Sequence, residues 1–428
     1  MRSARRGLGR ILAAFVLAAT VAGCGPGGVH PHPGQSLEGT RSLGDLVAGA
    51  GASPVHIVYI HGMAAQVPGT SLPFRQRLCA YVGDGCRYDA KASERHYIAF
   101  GPRPPARYLG EPVWRNDADW KASRPFVDRF VFRRDHGGAV VVDELNWYPL
   151  LFPLKCRYLL MPEVELSGAD AAHLRLCAAK DADGHAWLDA ATVEAALAAK
   201  HPYAGGARIN RALKAQLVNW GIADAVTSVG PMQAFVHDAM DGAFAYAERF
   251  EGAKADDQTF AVISESLGSF AVLDAFNSGR APSVRRVMES TYDIYFFANQ
   301  FRLLELTRLQ GMPPATEGGP VPMPSLSPIS ALREWAASPL GLRPPPGPPP
   351  KTGAMRPNPM VRQVIAFNDP SDALTFEVPQ LPGAKVVNVY DRNETSWLGL
   401  FADPAKAHLG HAENKGVLKL LFEKRAAH

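Results

Sequence analysis

The chain has 428 residues, enough for one large domain with insertions or for two ordinary domains, and its 47% hydrophobic and 20% charged content excludes disorder dominated by charge. The formal net charge of +4 equals the number of arginines in the first ten residues, and the rest of the chain has 41 basic and 41 acidic residues. Because this balance lacks the basic surplus of a nucleic-acid binder, we expect no nucleic-acid partner.

The first 24 residues have the pattern of a secretory leader. A basic head is followed by an apolar run over 11–22, which is too short to span a bilayer comfortably, and then by Gly23 and Cys24. The ending V-A-G-C resembles the lipobox of bacterial lipoproteins, in which the cysteine is lipidated and becomes the mature N-terminus. The resemblance implies a signal peptide over 1–23, a lipid anchor on Cys24 and a place in the bacterial cell envelope. Because Gly25 follows and not aspartate, we expect the outer membrane; an ordinary signal peptide with an incidental cysteine is the alternative.

Residues 24–54 are rich in glycine, proline, serine and histidine, and this composition predicts a flexible tether after the lipidated Cys24. Four further cysteines form an even number in a compartment where disulfides persist. We predict the pairs Cys79–Cys86 and Cys156–Cys177, although four cysteines allow three connectivities. No two cysteines have C-x-x-C spacing, so metal binding is the weaker interpretation.

From residue 55 onward, short apolar runs alternate with segments of helical character, the clearest at 209–249. This rhythm predicts an α/β fold with a mostly parallel central sheet and helices on both faces. Two stretches interrupt it, at about 148–205 and in a proline-rich segment at about 312–359 that has room only for a short helix near 329–337. We interpret both as insertions in a domain that covers 55–428. The predicted strands are 55–60, 139–142, 260–263, 294–298, 361–367 and 385–390.

Residues 260–270 read F-A-V-I-S-E-S-L-G-S-F, an apolar strand that leads into a turn and a helix. This pattern resembles the nucleophile elbow of the α/β-hydrolases, and the resemblance implies their fold, with Ser266 as the nucleophile. The sharp turn needs small residues two positions before and after the nucleophile, where the chain has Ser264, in place of the commoner glycine, and Gly268. A chance S-x-S-x-G in a loop is the alternative.

The resemblance also implies an acid and then a histidine later in the chain. Two aspartates follow the strand at 361–367, and we predict Asp372 as the acid because an apolar pair follows it. Asp369, which precedes a proline, is the alternative acid, and capping of a turn by both is a third interpretation. The stretch P-A-K-A-H-L-G-H-A-E-N resembles a form found in bacterial hydrolases, with His408 as the base and His411 in a place usually taken by an aromatic residue. Two surface histidines, or a zinc pair, are the alternatives.

The oxyanion hole is expected to use two backbone N–H groups, those of Leu267 and of Met63 in the H-G-M loop after the first strand of the domain. No dinucleotide or phosphate loop occurs, and D-A-D-G-H at 181–185 lacks the glutamate that completes a calcium loop. We therefore predict no cofactor and no metal.

These features predict a serine hydrolase that cleaves a carboxylic ester through an acyl-enzyme intermediate. The expected partners are a small-molecule or lipid ester substrate and the membrane that holds the anchor; thioesters and amides are alternative substrates. The competing interpretation is a catalytically inactive hydrolase-fold lipoprotein that acts as an envelope scaffold or ligand binder. Nothing in the sequence fixes the oligomeric state.

Overall fold

The computed structural model describes residues 28–62, 68–103, 107–108, 111–112, 114–168, 170–180, 184–201, 210–211, 214–230, 232–251, 258–306, 327–338, 361–393 and 404–423. The predicted signal peptide, Cys24, Met63 and most of the proline-rich segment lie outside the described residues. None of the described helices is long and apolar enough to cross a membrane.

A nine-stranded mixed sheet and a separate two-stranded hairpin contain all the strands that the structure describes. Apolar, β-branched runs form the central strands because both of their faces are covered. In chain order the strands are β1 (His30–Pro31), β2 (Val55–Ile60), β3 (Arg87–Tyr97), β4 (Arg107–Tyr108), β5 (Glu111–Pro112), β6 (Phe126–Arg133), β7 (Val140–Asn146), β8 (Thr259–Glu265), β9 (Thr291–Phe297), β10 (Arg362–Asn368) and β11 (Ala384–Tyr390).

The large sheet has the order β1-β11-β10-β9-β8-β2-β7-β6-β3, and β4 and β5 form the hairpin. The six central strands, from β11 to β7, are parallel to one another, whereas β1, β6 and β3 are antiparallel to their neighbours. These six are the strands predicted from the sequence, and the predicted α/β class with a mostly parallel sheet is confirmed. The antiparallel strands at the two edges were not predicted.

Helices cover both faces of the sheet. Along β8, Phe260 and Val262 belong to one hydrophobic cluster and Ala261 and Ile263 to the other, because successive strand residues point to opposite faces. The α-helices are Leu43–Gly49, Leu72–Val82, Asp117–Ala122, Phe152–Lys155, Met161–Ser167, Ala171–Ala178, Ala190–Ala198, Ala223–Val229, Gln233–Ala247, Leu267–Asn277, Pro282–Ser290, Phe301–Glu305, Pro328–Ala337, Pro404–Leu409 and Lys415–Glu423; Cys156–Leu160 and Lys214–Ile222 are π-helical, and Tyr148–Leu150 and Gly410–Ala412 are 3₁₀ turns.

The segment 28–54 is folded onto the sheet, so the prediction of a flexible tether is wrong for this part of 24–54. Leu43, Leu46 and Val47 have the spacing of one helix face and are buried. Ser42 and Asp45 form a capping box at the start of this helix, which satisfies backbone N–H groups that would otherwise lack partners. Upstream of the helix, β1 extends the sheet by pairing with β11. Apolar spacing and a helix cap therefore outweigh the Gly/Pro-rich composition.

Both predicted disulfides are present. The Cys79–Cys86 bond closes the turn between the helix Leu72–Val82 and β3. The Cys156–Cys177 bond joins two helical segments of the insertion at 148–205. This insertion is a small helical layer with its own hydrophobic cluster, which includes Leu160 and Trp187.

Candidate active site

Ser266 lies in a strained turn between β8 and the helix Leu267–Asn277. Its φ of 50° and ψ of −122° are uncommon for a residue other than glycine, and such a backbone costs roughly 1–3 kcal/mol. The neighbouring strand stabilises it, since the Ser266 N–H donates to the Phe297 carbonyl at 2.8 Å. The turn lifts the Ser266 side chain out of the strand, as the elbow pattern predicts.

Two glycines let the backbone pass close to Ser266. A Cβ on Gly268 would lie 2.6 Å from the His61 carbonyl oxygen, and a Cβ on Gly62 would lie 2.5 Å from the Ser266 Cβ. Both contacts are too short for any side chain, so the end of β2 and the elbow can meet only with glycine here. Ser264 is fully buried, and its Oγ has no hydrogen-bond partner among the described residues, so the serine fills this position as a small side chain.

His408 lies on the short helix Pro404–Leu409, which follows β11 in the chain. Its Nε2 is 2.6 Å from the Ser266 Oγ, and its Nδ1 is 2.6 Å from an Asp372 carboxylate oxygen. Three residues from three separate segments of the chain are thus brought into one hydrogen-bonded row. All three are nearly buried, with relative exposures of 1% for Ser266 and 8% for His408 and Asp372.

The two candidate aspartates have different partners. Burial alone would raise the pKa of Asp372, but hydrogen bonds from His408 and the Thr375 hydroxyl outweigh burial and keep this pKa below its usual range. Asp369 instead accepts from the Ser371 N–H at 2.8 Å and the Asn393 N–H at 2.7 Å. Asp369 therefore holds the turn after β10 and ties it to the loop after β11, while Asp372 contacts the imidazole.

This row of side chains is able to take a proton from a serine hydroxyl. An imidazole whose Nδ1–H is held by a carboxylate presents the lone pair of Nε2 to the hydroxyl. No protein-family model, no curated protein and no solved structure matches this chain.

Gln300 is a third neighbour of the imidazole, and sequence reasoning assigned it no role. Its Nε2 lies 3.3 Å from the His408 Nε2, and its side chain is buried. The segment that presents it follows β9 and contains Ala298 with a φ of 49°. The adjacent Asn299 donates through its amide to the Phe376 carbonyl and so ties this segment to the loop after β10. The sequence signal for it was the stretch F-A-N-Q at 297–300, at the end of a predicted strand.

The loop after β2 is held at both ends, although Met63 itself is not described. On the near side, the Trp147 N–H donates to the His61 Nε2 at 3.2 Å, so Nδ1 carries the proton and donates to the Gly62 carbonyl. Burial lowers the pKa of His61, which favours this neutral ring. On the far side, the Glu144 carboxylate accepts the N–H groups of three consecutive residues at 2.7–3.2 Å: Gly69, Thr70 and Ser71. Sequence reasoning did not anticipate Glu144.

His411 is not part of the row that contains Ser266. It is buried beside Phe297, with its ring stacked on the phenyl ring, and its Nδ1 donates to Asp391 at 2.9 Å. Burial would lower the pKa of His411, but the Asp391 carboxylate outweighs burial and raises it. Because His408 and His411 are both buried, the alternative of two surface histidines is wrong. Among the described residues, no group of three or more His, Cys, Asp or Glu side chains is arranged to hold a metal ion.

Glu265, next to Ser266 in the chain, should make stability depend on pH. The Tyr59 hydroxyl donates to its carboxylate, and burial raises the pKa of Glu265 from 4.5 to about 7. Since the folded state keeps a proton that the unfolded state has lost, stability should fall as the pH rises from about 4.5 to about 7, by up to about 3 kcal/mol. Glu265→Gln keeps an acceptor for Tyr59 and removes the titration. We expect urea unfolding at pH 5 and pH 8 to show a smaller loss of stability in Glu265→Gln than in the wild type.

The raised pKa of His411 acts in the same direction, because its charged form stabilises the fold below its unfolded value of 6.5 and this stabilisation is lost at higher pH. The wild-type protein alone therefore does not isolate Glu265, and the comparison with Glu265→Gln is the informative one. Equal pH dependence in the two proteins would contradict this explanation.

Proposed function

We propose that this chain is a serine hydrolase of the α/β-hydrolase fold that cleaves a carboxylic ester through an acyl-enzyme intermediate. The proposal is carried by one observation, the continuous row in which 2.6 Å separates the Ser266 Oγ from the His408 Nε2 and 2.6 Å separates the His408 Nδ1 from Asp372. A serine hydroxyl becomes a good nucleophile only with a base in hydrogen-bond reach and a group that orients the base. This row supplies both.

In the first half of the reaction, the Ser266 Oγ attacks the carbonyl carbon while its proton passes to the His408 Nε2. Asp372 stays ionised and stabilises the imidazolium. The negative charge on the carbonyl oxygen is held by backbone N–H groups, for which we propose Leu267, the first residue of its helix, and Met63. The imidazolium then protonates the departing alcohol, and the acyl-enzyme remains.

In the second half, a water molecule takes the place of the alcohol. His408 removes a proton from this water as its oxygen attacks the acyl carbon, and returns the proton to the Ser266 Oγ as the carboxylic acid leaves. The carboxamide of Gln300, next to the same imidazole nitrogen, is suited to orient the ring or the attacking water.

The α/β-hydrolase assignment is supported by chain order and by position. The nucleophile follows β8, the acid follows β10 and the histidine follows β11, which is the Ser, acid, His order of that superfamily. All three lie beyond the carboxyl ends of parallel strands, where open α/β sheets bind ligands.

We also propose that the mature protein is a lipoprotein of the bacterial envelope with its anchor on Cys24. The V-A-G-C ending of the leader supports this localisation. Two disulfides fit an oxidising compartment, since such bonds are rare in the cytosol.

Labelling with a fluorophosphonate tests the proposed function. An activated serine displaces fluoride from phosphorus and becomes covalently modified, whereas a scaffold protein does not react. We expect one label per wild-type chain on Ser266 and none in Ser266→Ala. Ser264→Ala is the matched control, because Ser264 is a buried serine two residues away, and it should label like the wild type.

Urea unfolding should show that Ser266→Ala is folded, so that its lack of label reflects lost chemistry. A folded wild-type protein that takes no label would refute the proposal in favour of a non-catalytic scaffold or binder, and a label on another residue would refute Ser266 as the nucleophile. A panel of matched ester, thioester and amide substrates then identifies the bond that is cleaved.

A further inference from the structure

The N-terminal segment enters the domain beside the carboxyl ends of the parallel strands. We call this side of the domain the carboxyl edge of the sheet. In β1, His30 pairs with Tyr390, the last residue of β11, and β1 runs antiparallel to β11. Residues before His30 therefore lead outward past the carboxyl end of β11. Val29 is buried there against the start of the helix Lys415–Glu423, since a Cβ on Gly416 would lie 2.6 Å from its side chain. The N-terminal connection is thus fixed next to the helix that follows the His408 segment.

Ser266 lies at the same edge of the sheet. It follows the carboxyl end of β8, which is four strand positions from β1 in the order β1-β11-β10-β9-β8. With a strand spacing of about 4.8 Å, this is a lateral separation of about 19 Å. The N-terminal connection and the proposed nucleophile therefore lie on the same edge of the domain, about 19 Å apart.

The proposed anchor is also close to this edge. Cys24 precedes Gly28 by four residues, and a fully extended chain of that length spans at most about 14 Å. A lipid on Cys24 therefore keeps the place where the chain joins the domain within about 14 Å of the acylated residue at the bilayer surface. No rotation of the domain moves the carboxyl edge of β11 far from the membrane.

Exposed leucines lie on the segment after β9, which contains Gln300, and on the helix Pro404–Leu409, which contains His408. These two segments contact each other where Gln300 meets the imidazole. Leu409 follows His408 directly and is 50% exposed. Leu303 and Leu306 follow Gln300 by three and six residues and are 37% and 61% exposed, whereas Leu304 between them faces the core. Single exposed apolar side chains are normal on protein surfaces, but exposed leucines that are grouped on neighbouring segments beside a site are a feature of surfaces that meet a membrane or another apolar partner.

We propose that the carboxyl edge of the sheet faces the lipid bilayer, with Leu409, Leu303 and Leu306 against the bilayer surface, so that Ser266 acts on acyl esters held in the membrane. The orientation rests on the proposed lipidation of Cys24, and the substrate class rests on the proposed hydrolase function. The partner is a phospholipid bilayer, and the substrates are esters of long acyl chains that do not leave it.

The orientation is tested with the full-length lipidated protein in vesicles of phosphatidylethanolamine and phosphatidylglycerol at about 3:1. An environment-sensitive fluorophore is attached to Leu409→Cys or Leu306→Cys and, as the matched control, to Ser290→Cys, an exposed position just before β9 at the opposite edge. Nitroxide-labelled lipid should quench the fluorophore at 409 and 306 at least about three-fold more than at 290. Equal quenching at all three positions, or protein that does not bind vesicles because Cys24 carries no lipid, overturns the proposal.

A longer tether tests the substrate class. Twenty Gly/Ser residues inserted between Gly25 and Pro26 add a root-mean-square reach of about 25 Å. Hydrolysis of a phospholipid ester in the same vesicles should fall at least five-fold, while hydrolysis of a water-soluble nitrophenyl ester stays unchanged; no change in either rate overturns the proposal. If the wild type cleaves neither ester and takes no fluorophosphonate but shows the expected quenching, the hydrolase function fails and the membrane orientation stands.

Discussion

Replacing His408 with alanine is expected to lower kcat/KM for ester hydrolysis by roughly 10⁴–10⁶-fold, because the variant has no group to take the proton of Ser266. The imidazole nitrogen at 2.6 Å from the Ser266 Oγ is the only base that the described residues place against this hydroxyl. Fluorophosphonate labelling should slow by a similar factor, since it uses the same activated oxygen. Both rates are measured at pH 7–8 on purified, folded protein.

The matched control for His408→Ala is a buried histidine with a carboxylate partner elsewhere in the fold. His56, near the amino-terminal end of β2, is such a residue. Its Nδ1 lies 3.3 Å from the carboxylate of Asp143 on β7. His56→Gln should unfold at lower urea concentration, because a buried polar contact is changed, and should keep kcat within a few-fold. If His408→Ala retained wild-type activity while His56→Gln lost it, the assignment of the base would be wrong.

The central strands were predictable because each is a short, continuous apolar run, which is how a strand reads when both of its faces are covered. The strand β6 was missed because F-V-D-R-F-V-F-R places two charges in its middle. In the structure Asp128 and Arg129 are buried with ion-pair partners on the neighbouring strands, Arg95 on β3 and Asp143 on β7. Such partners are invisible in the sequence, so the two charges hid a buried strand.

The edge strand β3 could not be predicted for a different reason. Its eleven residues are mostly exposed and show no alternation, and the register against β6 shifts between Asp89 and Glu94. Charged residues on an edge strand discourage pairing with other chains and also hide the strand from any pattern based on hydrophobicity. The segment forms a strand because its backbone pairs with β6.

The row of side chains at Ser266 was predictable in outline because each member lies in a local pattern, a strand followed by a characteristic loop. The choice of Asp372 over Asp369 rested only on the apolar pair after Asp372, since both aspartates lie in one turn and tertiary contacts decide which carboxylate reaches the imidazole. Gln300 and Glu144 were missed for the same reason, because their contacts join residues 108 and 75 positions apart.

Asp372→Asn is expected to lower kcat/KM by roughly 10⁴-fold with little change in KM. An asparagine amide that donates to the His408 Nδ1 stabilises the wrong tautomer and leaves Nε2 protonated, so that it no longer accepts from Ser266. Asp369→Asn is the matched change three residues away. Its side-chain oxygen still accepts from the Ser371 or Asn393 N–H, so we expect a loss of less than about ten-fold and a modest loss of stability.

The two variants are compared by kcat and KM for one ester and by the rate of fluorophosphonate labelling, with urea unfolding as the test of folding. A reversed ranking, with Asp369→Asn inactive and Asp372→Asn active, would move the role of the acid to Asp369. The contacts argue against that reversal, since both oxygens of Asp369 already accept backbone N–H groups, whereas one oxygen of Asp372 accepts from His408. Asp369 therefore holds the two loops together, whereas Asp372 determines which nitrogen of the His408 ring carries the proton.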